Sequence, residues 1–152
     1  MLHGVLDARR VSGERDATER ELAHLLETAT IVGDVEATKV LAHHLQERSQ
    51  LASPWPDFTY IGRHLGEAAA MVGEPQQAGV FYRQALDLGA KLRNRPESAR
   101  TRLLLAELLL THYPDQRAEA MEHLDFSIAE FQAMKMQPSL ERALKHKGLL
   151  HA

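Results

Sequence analysis

The sequence predicts an all-α protein built from helical hairpins that repeat along the chain. Leucine and alanine dominate the apolar residues, and aromatic residues make up only 5% of the 152, which favours helices packed through aliphatic side chains. Apolar residues recur every three or four positions, as on one face of a helix. Glycine and proline fall where one helix would end and the next begin. We expect about three hairpins and a C-terminal helix in one domain over residues 16–152, after a weakly patterned segment at residues 1–15.

The clearest hairpin is centred on residues 60–90. Its first helix carries an apolar face made of Phe58, Ile61, Leu65, Ala68, Ala69 and Val72. Gly73 suits the left-handed end of that helix, and Pro75 suits the first turn of the next one. The second helix carries an apolar face made of Ala78, Phe81, Tyr82, Ala85, Leu88 and Leu92.

Small residues indicate where the two helices of this hairpin touch. A glycine inside a helix costs roughly 1 kcal/mol relative to alanine, a cost that is easiest to explain if another backbone must approach closely. We therefore expect Gly66, Ala78 and Ala85 to form the contact seam. Tyr82 would fill the space beside them.

Similar signals place the remaining helices. Gly33 ends the first helix, and Asp34 can cap the second. The leucine-rich helix that starts near Pro96 is apolar nearly all round, so we expect it to be the most buried element. Asp115 is the expected N-cap of the following helix, and the last helix begins near Pro138.

The helix pairs repeat with a period of about 40 residues. In the first helices, Leu25-Leu26-x-x-Ala29, Leu65-Gly66-x-x-Ala69 and Leu105-Ala106-x-x-Leu109 recur at an interval of 40. The second helices align at intervals of 41 and 42, as Ala37, Leu41 and His44, then Ala78, Tyr82 and Ala85, then Ala120, Leu124 and Ser127. One such hairpin cannot bury both of its faces alone, so the repeats are expected to stack.

The pattern of Leu65, Gly66 and Ala69 with Ala78, Tyr82 and Ala85 resembles a tetratricopeptide (TPR) repeat. Residues 33–148 also resemble the C-terminal repeat region of large bacterial signal-transduction ATPases and adenylate-cyclase-type regulators, on the stretches "RP…ARTR" and "A.LLL". The resemblance implies a short right-handed solenoid that acts as a scaffold in bacterial signalling or transcription regulation. The chain carries no P-loop, cyclase or helix-turn-helix segment, so those activities are not implied.

In a repeat superhelix the first helices line the concave surface, and three rows of residues recur there. The rows are Arg20, Tyr60 and Arg100, then Ala23, Arg63 and Leu103, then Glu27, Glu67 and Glu107. We expect the glutamates to face a basic partner segment and the arginines to bind acidic groups. The expected partner-binding residues are Tyr60, Arg63, Glu67, Arg100, Leu103, Glu107 and Glu27. A simpler alternative is that Arg63 and Glu67, four residues apart, pair with each other on a solvated face.

No metal, cofactor or catalytic centre is expected. His43 and His44 are adjacent and point about 100° apart on a helix, so they cannot share an ion without a ligand from elsewhere. His44 aligns with Ala85 and Ser127 and is expected to be partly buried. The chain has no cysteine, and we find no paired nucleophile and base and no Gly-rich phosphate loop. We therefore expect a protein that is not an enzyme.

Charge and apolar patterning bear on partners and location. A net charge of −3 with interspersed signs gives no reason to expect nucleic acid or anionic lipid as a partner. No apolar run is long enough to span a membrane and no signal pattern is present, so we expect a cytoplasmic protein. The expected partner is a protein or peptide. The alternative function is a ligand sensor that takes a small molecule or short peptide in the concave groove.

Two further expectations concern exposed apolar residues. Trp55, the only tryptophan, lies in a proline-rich loop and is expected to pack between hairpins, with an interface contact as the alternative. The last helix and the residues before it look more apolar than one preceding helix can cover, at Met134, Met136, Leu140, Leu144, Leu149 and Leu150. Such an end favours a homodimer through a terminal hairpin or contact with a neighbouring domain.

Overall fold

The computed structural model describes residues 18–51 and 58–151, which form seven α-helices and no strand. The helices are α1 (Glu19–Val32), α2 (Val35–Leu51), α3 (Phe58–Met71), α4 (Pro75–Leu92), α5 (Arg95–His112), α6 (Arg117–Ala133) and α7 (Gln137–His151). A single 3-10 turn, Pro114–Gln116, precedes α6. The all-α fold predicted from the sequence is confirmed. Residues 1–15 and Trp55 lie outside the described residues.

The helices pack in two layers. Each helix contacts the next along the chain, from α1 on α2 to α6 on α7. The odd-numbered helices also contact one another in succession, α1 with α3, α3 with α5 and α5 with α7. Within the described ranges, no Cα atom of α4 comes within 8 Å of one in α2 or α6. This order of contacts is consistent with an all-α helical repeat, with one layer of first helices and one of second helices.

The helix ends follow the predicted capping residues in the first two hairpins. Gly33 has φ 79° and Gly73 has φ 84°, so each ends its helix in the left-handed conformation that glycine adopts at little cost. Asp34 accepts a hydrogen bond from the Ala37 N–H at 3.0 Å, as a cap of α2. Pro75 is the first residue of α4.

Two details of the predicted pattern are wrong. Asp115 does not cap α6, because Pro114 opens a 3-10 turn and moves the N-cap to Gln116, whose side chain makes no capping hydrogen bond. The second helices of the first two hairpins are 40 residues apart, since the left-handed glycines and the starts of α2 and α4 are all separated by 40. The aligned partner of Ala85 is therefore the buried Leu45, and His44 is exposed.

The hydrophobic core consists of two clusters that meet at α3. One joins α1 and α2 to Ile61, Leu65 and Ala68 of α3. The other extends from Ala69 through α4, α5 and α6 to Ala143 of α7. As expected from its leucines, α5 is deeply buried, with eight of its residues in the interior. The core is thus divided within one helix, although each described helix contacts the next along the chain.

The predicted seam between α3 and α4 is present. Ala78, Tyr82 and Ala85 are 0%, 2% and 4% exposed. A Cβ atom added to Gly66 would lie 2.5 Å from Cδ1 of Tyr82, so the tyrosine ring occupies the space that a side chain would need. A Cβ atom on Gly62 would lie 3.0 Å from the Cβ of Ala85. Both glycines therefore allow the two helices to approach closely.

The apolar residues near the last helix are partly covered. Met134, Met136 and Leu140 pack against the larger core cluster, whereas Leu144 is 44% exposed. The side chains of Leu149 and Leu150 lie outside the described residues. None of the described helices has both the length and the apolar character needed to cross a membrane.

Candidate functional site

The candidate site is the charged face of the odd-numbered helices. α3 lies between α1 and α5 and also contacts α2 and α4, so every residue from 60 to 71 is buried or half-buried. A charged side chain on α3 is therefore held close to its neighbours and away from bulk water. Such groups require partners, because an unpaired charge inside a protein is costly.

Arg63 is the central cation of this face. Its Nε donates a hydrogen bond to the carboxylate of Glu97 on α5, and its Nη1 donates to Glu67 at 3.0 Å. The Arg63 side chain is only 12% exposed. Burial alone would lower the pKa of Arg63, but the negative charges of Glu67, Glu97 and Glu27 raise it. The guanidinium group thus links α3 to α5, and the negative charge of Glu27 on α1 also acts on it.

Glu67 accepts this bond and also lies beside a buried histidine. The Nδ1 atom of His64 is 3.2 Å from Oε2 of Glu67, although the angle between them is poor for a hydrogen bond. Burial would raise the pKa of Glu67. The contact with His64 and the positive charges of Arg63 and Arg142 outweigh burial, so this pKa is lowered. Glu67 is therefore held as a carboxylate.

Glu107 on α5 is paired with α7. Arg142 donates from Nε to Oε1 at 2.7 Å and from Nη2 to Oε2 at 2.5 Å, a two-pronged contact. His146 Nε2 lies 2.8 Å from the same carboxylate. The hydrogen bond to Glu107 raises the pKa of Arg142 despite partial burial. Burial, and to a lesser extent the charges of Glu67 and Glu107, also raises the pKa of Tyr82.

The remaining predicted residues differ in their accessibility. The Arg100 side chain is 49% exposed and lies 3.9 Å from Glu97. The Glu27 side chain is 42% exposed, with His24 at 3.9 Å. Tyr60 is half-buried and packs edge-to-face on His64, with 6.0 Å between ring centroids. Leu103 is 3% exposed and belongs to the core, so it cannot contact a partner.

The structure therefore pairs Arg63 and Glu67 with each other, and it pairs Glu107 with a residue outside the predicted rows. The pair of Arg63 and Glu67, the simpler alternative for these residues, is present, on a partly buried face rather than a solvated one. Glu97, Arg142 and His146 were missed by the sequence analysis. One signal could have indicated Arg142: it follows Arg100 by 42 residues, the same interval that separates Ala78 from Ala120. The contact of α7 with α5 makes α7 the fourth of the described helices in the odd-numbered layer.

A second charged cluster lies on α4, α5 and α6. Arg83 donates to Glu119 at 3.0 Å, and Glu119 lies 3.6 Å from His123. Arg102 approaches the Nδ1 atom of His123 at 3.0 Å, and its guanidinium carbon lies 4.2 Å from the centre of the Phe126 ring. Burial and the positive charge of Arg102 lower the pKa of His123, against the effect of Glu119.

Neither cluster has the composition of a metal centre. In the part of the chain that the structure describes, no three His, Asp or Glu side chains are grouped so that they could hold an ion. The carboxylates of both clusters are instead neutralised by arginines. A comparison with models of protein families and with curated protein sequences found no match to this chain.

Proposed function

We propose that this chain is a non-enzymatic interaction module, and that the face formed by α1, α3, α5 and α7 binds a segment of a protein. The observation that carries the proposal is the continuous contact between these four helices, which places alternating acidic and basic groups along one surface. The side chains of Glu27, Arg100 and Arg142 remain 42%, 49% and 54% exposed. These groups are accessible to a partner, and Arg142 is accessible while it also holds Glu107.

The charges of this face favour a partner segment of mixed sign. Its acidic residues are Glu27, Glu67, Glu97 and Glu107, and its arginines are Arg63, Arg100 and Arg142. A purely basic segment would compete with the arginines that already hold Glu67 and Glu107. A segment with both signs can instead add bonds at the exposed groups, since each carboxylate accepts several hydrogen bonds.

The wider role follows from the resemblance noted in the sequence. A tetratricopeptide-like scaffold of this size suits a cytoplasmic regulator in bacterial signalling or transcription. In that role the chain would bring other proteins or domains together, and it would carry out no reaction itself. Fold-level resemblance supports this role only by analogy, so the binding face is the feature to test.

The test is a selection of peptides from a displayed random library against the immobilised full chain. Affinities of the enriched peptides are then measured by calorimetry with Arg100→Ala and with Lys91→Ala, a matched change of an exposed cation on α4. We expect the Arg100→Ala variant to bind at least about tenfold more weakly, a change of about 1.4 kcal/mol. Enriched peptides that bind both variants equally well, or a selection that enriches nothing, would contradict the proposal.

A further inference from the structure

Two grooves lie between successive even-numbered helices, on a different surface from the charged face. The first groove has a volume of about 440 Å³ and is lined by Gln46, Ser49, Gly62, Leu65, Gln77, Phe81, Gln84, Ala85 and Leu88. The second has a volume of about 170 Å³ and is lined by Leu86, Gly89, Ala90, Arg93, Asn94, Arg95, Ser98, Arg102, Phe126 and Glu130. The first runs between α2 and α4 over α3, and the second between α4 and α6 over α5.

The two grooves are equivalent positions in the repeat. The interval of 40 residues relates α2 to α4 and α3 to α5, and the interval of 42 relates α4 to α6. These intervals pair Gly62 with Arg102, and Gln84 with Phe126. They also pair Leu88 with Glu130. One groove can therefore be compared with the other position by position.

The second groove is partly filled by its own side chains. The Arg102 guanidinium group covers the ring of Phe126 at 4.2 Å, a favourable contact between a cation and an aromatic ring. At the same groove, Arg95 of α5 donates two hydrogen bonds to Glu130 of α6, at 2.8 and 3.1 Å. These contacts explain why the second groove has less than half the volume of the first.

The first groove lacks the groups that fill the second. Gly62 has no side chain where Arg102 stands, and Gln84 has no ring where Phe126 stands. All nine of the lining residues that the structure describes are uncharged. Leu65, Phe81 and Leu88 supply apolar surface, while three glutamines supply amides that can both donate and accept hydrogen bonds. Its lining therefore suits an uncharged occupant with an apolar ring.

We propose that the first groove binds an aromatic side chain from an uncharged segment of a partner protein. The second groove shows that the fold places an aromatic ring at this position when the chain supplies one. A charged occupant would lose its hydration and find no counter-ion among the described lining residues. The glutamine amides would bond to the backbone of the bound segment, as polar groups at the rim of an apolar pocket do. This site is separate from the charged face and does not depend on the function proposed for it.

The experiment uses N-acetyl-phenylalaninamide as the probe and the isotope-labelled full chain as the target, followed by NMR chemical shifts. N-acetyl-alaninamide is the chemical control. Gln84→Phe places a ring in the groove as Phe126 does in the second one, and Gln132→Phe makes the same change at an exposed position of α6. Gln46→Phe fills the groove from the opposite wall, so that a folding fault in one variant does not decide the outcome.

We expect saturable shifts at Leu65, Phe81 and Ala85 with the phenylalanine probe, and none with the alanine probe. Gln84→Phe and Gln46→Phe are expected to weaken binding at least about tenfold, and Gln132→Phe is expected to leave it unchanged. Equal shifts with both probes, or equal binding by all three variants, would overturn the proposal. A change in Trp55 fluorescence caused by Gln84→Phe without any probe would assign the groove to the chain's own tryptophan and would also overturn it.

Discussion

Burial and the neighbouring positive charges shift the pKa of Glu67 in opposite directions. The surrounding cations prevail, so its pKa in the folded chain is lower than the ordinary value of 4.5. A group of this kind stabilises the fold at every pH above its unfolded pKa. The contribution is lost as the pH falls through the folded pKa. The charged face is therefore also an acid-sensitive part of the structure.

We predict that Glu67→Gln makes the free energy of unfolding less dependent on pH in the acid range. In the parent chain, this free energy is expected to fall from about pH 4.5 downward as Glu67 takes up a proton. The glutamine variant cannot take up that proton, so its curve is expected to be shallower there. Urea denaturation at a series of pH values measures both curves.

The exposed Glu122 on α6 provides the control for this measurement. Glu122→Gln also removes one carboxylate, and its curve is expected to follow that of the parent chain. If the curves of Glu67→Gln and Glu122→Gln coincide from about pH 3 to pH 6, the pairing of Glu67 with Arg63 and His64 does not stabilise the fold.

At the level of single residues, the sequence predicts contacts within a helix better than contacts between helices. The pair of Arg63 and Glu67 follows from a spacing of four on one helix. The bonds of Arg63 to Glu97 and of Arg142 to Glu107 join residues 34 and 35 positions apart. Helical spacing contains no information about such pairs, since they depend on how three helices pack.

Helix α3 owes its close packing on α4 to Gly66. We predict that Gly66→Ala lowers the free energy of unfolding by about 1–3 kcal/mol, because the new methyl group would overlap the Tyr82 ring. Urea denaturation measures the change. Gly148→Ala on α7 is the control, since nothing lies within 4 Å of an added Cβ atom there. That variant is expected to be no less stable than the parent chain.

If Gly66→Ala and Gly148→Ala were equally stable, the assignment of Gly66 to the contact between α3 and α4 would be wrong. A further variant can identify the ring as the cause of any loss. Tyr82→Leu removes the ring. In the Gly66→Ala background this second change is therefore expected to lower the free energy of unfolding by less than it does in the parent chain. A double-mutant cycle measures that difference.

At the level of helices, most of the helix ends were predicted correctly from the sequence. The alignment of α2 with α4 was predicted wrongly, by one residue. Gly33, Asp34, Gly73 and Pro75 have conformational requirements that few other residues meet, so the ends they mark were predicted correctly. The apolar pattern of α2 is less restrictive, because Ala37 and Thr38 are both small and either could face the core. Only the packed structure shows that Thr38 is buried.

For the whole molecule, we predict self-association through α7. Its exposed Leu144 lies beyond the partly covered Met134, Met136 and Leu140. Sedimentation equilibrium at high micromolar concentration is expected to give a mass above the 17.1 kDa of one chain. Leu144→Lys is expected to reduce that mass, because it places a charge in the contact.

Val80→Lys provides the control for this prediction. Val80 is 47% exposed on α4, so its replacement removes a similar apolar surface far from α7 along the chain. This variant is expected to associate like the parent chain. A parent chain that sediments as a monomer at every concentration would contradict the prediction.

The division of the core has a mechanical consequence. Arg102 lies on the Phe126 ring and Arg95 bonds to Glu130, so side chains hold α5 and α6 together as one hairpin. The two core clusters, in contrast, divide within α3. We therefore expect thermal bending to occur at α3, between the first hairpin and the rest of the described helices. Such bending would move Glu27 on α1 relative to Arg63 on α3.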